Sequence, residues 1–272
     1  MDLNNKTAVI TGGAGGIGSA LARALAKQGA KVVVSDLNLE AAQKVADEVG
    51  GIAVACDVTD EAQIKALIVA AEKAYNQVDI FISNAGFAAA EPDHAASASN
   101  EIWQLNWDVH VMAHVYASRD LLPKMIKRGD GYLVNVASAA GLLAQISDAA
   151  YSATKHAAVS LADSLNIAHT EQGIKVSVVC PQYVNTEIIG DAKRTDDQDF
   201  PAGLLTPEQC ADVVIKGLQD ETFLILPHPE VADYAVLRAT DPNRWLGGMR
   251  RLRQHIMGDD GRVDLKRMLM RE

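Results

Sequence analysis

The chain has 272 residues, 49% of them apolar, and a formal net charge of −10. That apolar content suffices for one large core, and the acidic balance argues against nucleic acid or an anionic membrane as the main partner. The three cysteines, Cys56, Cys180 and Cys210, are odd in number and lack metal-site spacing, which fits buried thiols in a reducing cytoplasm and predicts no metal.

Residues 1–6 lack the apolar core of a signal peptide, and no apolar run reaches the roughly 18 residues that a membrane span needs. Residues 7–10 read as a buried strand. The turn Thr11-Gly12-Gly13-Ala14-Gly15-Gly16-Ile17-Gly18 follows, then a helix over 19–28. Strand, glycine turn and helix in that order form the context of a dinucleotide fingerprint. The glycines let backbone approach a pyrophosphate, and the helix N-terminus offers unpaired N–H groups and a positive dipole end. A β-branched strand over 31–35 ends at Asp36, eighteen residues after Gly18, near the spacing of an acid that binds ribose hydroxyls. A helix over 41–49 and a strand over 52–56 lead to Asp57 and Val58. Thr59 is the expected cap of a helix over 60–75. A strand over 79–83 runs into Asn84-Ala85-Gly86, and one long helix is expected over 100–127. A strand over 132–137 ends at Ser138, a helix covers 151–171, and a strand over 175–180 precedes Pro181. Thr206-Pro207-Glu208-Gln209 is a capping box with proline at the first helical position, opening a helix to about 220. The last strand covers 223–226.

This alternation predicts an α/β fold, a doubly wound parallel sheet with helices on both faces. Ligands then bind at the carboxyl ends of the strands, where Gly12, Asp36, Asp57, Asn84, Ser138 and Pro181 all fall. We expect residues 1–228 to form a dinucleotide-binding and catalytic domain and 229–272 a helical extension packed on it. Tyr151 and Lys155, four residues apart, share one helix face, with Ser138 thirteen residues upstream. An ammonium beside a phenol favours the phenolate. Bringing a tyrosine from about 10 to near 7 takes roughly 4 kcal/mol, within reach of one ammonium in a partly dry site aided by a cationic nicotinamide.

With these residues the chain resembles the short-chain dehydrogenase/reductase family in its single-domain form, from about residue 5 to 227. Thr11, Gly12, Gly16 and Gly18 match its glycine pattern, Asn84-Ala85-Gly86 its Asn-Ala-Gly, and Ser138, Tyr151 and Lys155 its Ser-Tyr-Lys. The resemblance implies an oxidoreductase moving hydride between NAD(H) and a secondary alcohol or ketone. Tyr151 would be the general acid and base, Ser138 would hold the substrate oxygen, and Lys155 would lower the Tyr151 pKa and bind the nicotinamide ribose, with Tyr151 also a cofactor-binding residue. The cofactor would lie on Gly12, Gly15, Gly16, Ile17 and Gly18, with Asp36 and Leu37 at the adenosine ribose. Asp57 and Val58 would meet the adenine, Asn84, Ala85 and Gly86 would run along the ribose, and Pro181, Val184 and Thr186 would complete the site, the last two near the carboxamide. NADP-using relatives carry a basic residue at the places held here by Gly15 and Leu37. NAD is therefore implied, since the Asp36 carboxylate repels a 2′-phosphate.

Two positions depart from the family pattern. His110 replaces an asparagine that ties a water to the lysine, and a histidine there either relays protons or packs. Gln182 replaces a glycine after the sixth strand. The implied pocket is Phe87, Ala140, Ile146, Gln182, Tyr183 and Ile188, under a lid over about 187–205. Its apolar walls suit a medium-sized aromatic, alicyclic or steroid-like substrate. Assembly as a homodimer or homotetramer through the helices at 100–127 and 151–171 is also implied. Two other readings stand beside this one: an inactive protein that senses NAD, and an epimerase or dehydratase of a nucleotide-linked sugar.

Overall fold

The protein is described by a computed structural model over residues 1–192, 203–258, 263–264 and 267. Strands β1 (Thr7–Thr11), β2 (Lys31–Asp36), β3 (Ile52–Ala55), β4 (Ile80–Ser83), β5 (Gly131–Val136), β6 (Ile174–Val179) and β9 (Leu224–Ile225) form one sheet in the order β3-β2-β1-β4-β5-β6-β9. Every pairing in it is parallel. Such a sheet is covered on both faces, which is why β1, β4 and β5 are buried at every residue and read as apolar runs without alternation.

Successive side chains still divide between two layers. Val9, Phe81 and Leu133 stand in register on one face. They pack there with α3 (Glu61–Tyr75), α5 (Ala113–Arg128) and α6 (Ala149–His169) through Leu67, Leu121 and Ala162. Ile10, Ile82 and Val134 face the other way, onto α1 (Gly16–Lys27), α2 (Leu39–Val49) and α7 (Pro207–Gln219) through Leu21, Val45 and Val214. Strand order changes direction between β1 and β4, so their carboxyl ends open a crevice at the switch point.

Several elements differ from the sequence expectation. The long helix is three pieces: α4 (Asn100–Trp107), a π-helical turn (Asp108–Met112) and α5, which carries Pro123 inside it. Asp60, not Thr59, caps α3 by accepting the Ala62 N–H. The Thr59 hydroxyl instead donates to Asp57 Oδ1 at 2.7 Å. Asp148 caps α6, so that helix begins two residues before Tyr151. Tyr183–Val184 (β7) pairs with Leu204–Leu205 (β8) as a second, two-stranded sheet. Of the expected lid, residues 193–202 lie outside the described residues, as does most of the chain after 258.

In the C-terminal region α8 (Glu230–Thr240) and α9 (Pro242–Ile256) build a third apolar cluster, in which Val231 and Trp245 join Ala139 and Leu143. Arg238 donates to the Leu142 carbonyl at 2.6 Å and to His156 Nε2 at 3.0 Å, with its guanidinium 5.4 Å from the Trp245 ring. Among the described residues no helix is long and apolar enough to cross a membrane.

Candidate active site

The glycine turn is built for close backbone approach. Gly12 has φ +62°, and a Cβ there would stand 2.8 Å from Ala85 Cα. A Cβ on Gly18 would stand 2.1 Å from the Gly12 carbonyl oxygen. The Asn84 amide donates to the carbonyls of Thr11 and Gly12, and Thr11 Oγ1 accepts from the N–H groups of Asn84 and Ala85. These bonds lock the ends of β1 and β4 together. No side chain caps α1, so its first N–H groups face the crevice free to meet an anion. Asp36 accepts from the N–H groups of Ala14 and Asn38, which aims its carboxylate across the turn.

This cradle lines one cavity of about 560 Å³. Each residue expected at the cofactor borders it: Gly12, Gly15, Gly16, Ile17, Gly18, Asp36, Leu37, Asp57, Val58, Asn84, Ala85, Gly86, Pro181, Val184 and Thr186. An uncapped helix end, glycines that admit no Cβ and a carboxylate at the end of β2 fit a dinucleotide with free ribose hydroxyls. Ser138, Tyr151 and Lys155 border the same cavity at its far end.

Ser138 closes β5 and caps the turn Ala139–Gly141 by accepting the Ala140 N–H at 3.1 Å. Lys155 is buried and donates to the Val136 carbonyl at 3.0 Å, with Nζ 5.5 Å from the centre of the Tyr151 ring. Burial lowers the lysine to about 8. The expectation that Lys155 makes Tyr151 acidic is not met in the chain by itself. Desolvation pushes the phenol up to about 12, while the Ser138 hydroxyl beside it works in the lowering direction. Burial of the phenol is the largest cause, and the ammonium bonds to a backbone carbonyl and not to the phenol.

His110 lies in the π-helical turn, fully buried, stacked on Phe87 and edge-on to Tyr151. Its Nε2 accepts the Phe87 N–H at 3.3 Å. Its Nδ1 lies 3.2 Å from Thr154 Oγ1, whose own proton goes to the carbonyls of Ala150 and Tyr151. Nδ1 therefore carries the ring proton, and both nitrogens are committed. Burial and Lys155 drive His110 down to about 2. The ring is packed and neutral, and His110 does not border the cavity. One α-helical turn further on, His114 is buried beside Asn135, which opposes the shift, and burial and Lys155 lower it to about 3.

Of the expected pocket residues, Phe87, Gln182 and Ile188 border the cavity and Ala140, Ile146 and Tyr183 do not. Ala140 is buried behind Ser138, and Tyr183 is drawn into pairing with Leu204. Leu105, Val109 and Glu187 also line the wall, and no signal in the sequence marks them as pocket residues. Leu105 and Val109 share a helix face, but the turn that aims them at the crevice leaves no mark in the local sequence.

Comparison with known proteins adds four findings. The family model described as short chain dehydrogenase matches residues 6–197. A cyclohexanol dehydrogenase of Acinetobacter sp. is 35% identical over 239 residues, covering 85% of this chain and 95% of that protein. Oxidoreductase UcpA of Salmonella typhimurium is 32% identical over 252 residues, covering 90% and 92%. Among solved structures, a short chain dehydrogenase/reductase from Burkholderia phymatum in complex with NAD superposes with a TM-score of 0.80 at 30% identity, covering 90% of this chain and 96% of that one.

Proposed function

Because the chain belongs to the short-chain dehydrogenase family, we propose that it is an NAD(H)-dependent dehydrogenase of medium-sized secondary alcohols, run in reverse as a ketone reductase. The observation that carries this reading is the meeting of Ser138, Tyr151 and Lys155 with the glycine turn and Asp36 around one cavity. Asp36 supports NAD over NADP, since its carboxylate repels a 2′-phosphate and the exposed neighbour Leu37 offers no counter-charge. Apolar walls from Phe87, Leu105, Val109, Ile188 and Ile189 support an alicyclic or aromatic ring, in keeping with the cyclohexanol dehydrogenase relative.

When bound, the nicotinamide supplies or accepts the hydride and, when oxidised, adds positive charge beside Tyr151. Tyr151 gives its proton to the substrate oxygen in reduction and takes it in oxidation. Ser138 holds that oxygen with its hydroxyl, whose own orientation is set by the Ala140 N–H. Lys155, anchored on Val136, places its ammonium where a developing phenolate gains from it. The apolar walls exclude water from the reacting oxygen.

Three buried, unpaired thiols support a reducing, cytoplasmic setting. Exposed Trp107 on α4 and Ile167 on α6 support a homodimer or homotetramer through those helices, and a monomer on light scattering would count against it. The cluster that α8 and α9 share with Ala139 and Leu143 supports reading 229–272 as an extension of one catalytic unit. The test of activity is incubation with NAD+ and a panel of cyclic and aromatic secondary alcohols, following NADH absorbance. Turnover that disappears in Tyr151→Phe supports the proposal. Tight NADH binding without turnover across the panel would turn the reading to a sensor.

A further inference from the structure

We propose that His228 is the positioning residue of the second cavity wall, fixing where Gln182, Val184 and Thr186 stand. His228 lies between β9 and α8 and is buried. Its Nδ1 accepts the Gln182 N–H at 3.1 Å, and its Nε2 lies 3.1 Å from the carbonyl oxygens of both Tyr183 and Gly203. A ring nitrogen that faces an N–H is unprotonated, so the ring proton is on Nε2 and is shared between the two carbonyls. Burial holds the ring neutral against the opposing pull of Glu230 in the first turn of α8.

One imidazole thus joins three points of the chain: the exit of β6, strand β7 and the residue before β8. The β7–β8 pair is two residues long on each side, and a pair that short does not hold itself in place. What it positions matters to the cofactor cleft. Thr186 packs so closely on the glycine turn that a Cβ on Gly16 would lie 2.5 Å from Thr186 Cγ2. Gln182, Val184 and Thr186 border the cavity, whereas His228 does not. It acts only through the backbone it holds.

The kinetic part of the test rests on the dehydrogenase reading; the exchange and affinity parts do not. Three variants separate the two ends of the ring. His228→Asn keeps an acceptor near Nδ1, His228→Gln keeps a donor near Nε2, and His228→Phe keeps only the shape. The readouts are amide hydrogen exchange at Gln182 and at Asn185, whose N–H donates to Leu205, NADH affinity by fluorescence, and KM and kcat. Losing bonds to buried backbone groups corresponds to about a tenfold effect. His228→Phe is expected to lose protection at both amides and to raise the NADH Kd and substrate KM about tenfold, with a far smaller change in kcat. His228→Asn should recover protection at Gln182, and His228→Gln should recover protection at Asn185. Unchanged exchange and NADH affinity in folded His228→Phe would overturn the proposal. So would a uniform loss of stability in all three variants without a local change at these amides. Should His228→Phe fail to fold, the Asn and Gln variants decide by the same two amides. Absence of turnover in the parent protein would refute the dehydrogenase reading and leave the exchange and affinity results to judge His228.

Discussion

Mild acid should destabilise this protein through two histidines that never meet solvent. His110 and His114 are buried and held down to about 2 and about 3, against about 6.5 for an unfolded histidine. As pH falls below that value the unfolded chain takes up protons that the folded chain refuses, so unfolding gains. At pH 5 an unfolded histidine is about 1.5 units below its pKa, which gives about 2 kcal/mol for each ring and about 4 kcal/mol for the pair, almost none of it present at pH 7. Asp148 works the other way. Burial raises it to about 6, so its carboxyl gains a proton in the folded state over the same range and returns about 1 kcal/mol. A comparison of variants isolates one ring. Urea unfolding followed by tryptophan fluorescence at pH 7 and pH 5 should show the parent losing about 2 kcal/mol more than His114→Gln. Asp148 and His110 are common to both proteins and cancel. Equal losses in the two would mean that His114 is charged in the folded state, and the reasoning from its burial would fail.

Other outcomes follow from the cavity. Tyr151→Phe should lower kcat at least about 100-fold while NADH fluorescence titrations stay within about threefold of the parent, because one hydroxyl is a small part of a cradle built from the glycine turn, Asp36 and Asn84. Asp36→Asn removes the charge and keeps one of the two oxygens that accept from Ala14 and Asn38. It should tighten NADPH binding at least about tenfold with a much smaller effect on NADH, and an unchanged ratio of the two affinities would show that Asp36 does not set cofactor choice. His110→Asn should leave the pH profile of kcat unchanged between about pH 6 and 9, since the histidine does not titrate there; a shifted profile would restore the relay reading.

Much of this architecture is legible in the sequence where the physics is local. The glycine turn, Asp36, Asn84 and Ser138 each sit at a strand end, and the alternation of strands and helices alone puts those ends side by side. The Thr206–Gln209 capping box appears as read, because it is a contact between near neighbours. What escaped the sequence depends on distant partners. Asp60 outcompetes Thr59 as cap because the Thr59 hydroxyl is taken by Asp57. The break in the helix at 108–112 holds His110 against Phe87 and Thr154, neither of which is near it in sequence. Tyr183 reads as a pocket aromatic, yet its pairing with Leu204 arises only once the chain has returned from residue 203. The environment of Tyr151 in the chain alone depends on distant partners in the same way. The four-residue spacing gives proximity to Lys155 but says nothing of the Val136 carbonyl that takes the ammonium's hydrogen bond.

The π-helical turn at Asp108–Met112 holds one residue more than the α-helical turn it replaces. Shortening the chain by one residue there would let the helix wind evenly and rotate all of α4 by about 100° about its axis. Leu105 would move into the buried place of Asn106, and Gln104 would take over the apolar wall that Leu105 now provides. A single codon lost at this point would therefore exchange an apolar stretch of the cavity wall for a polar one.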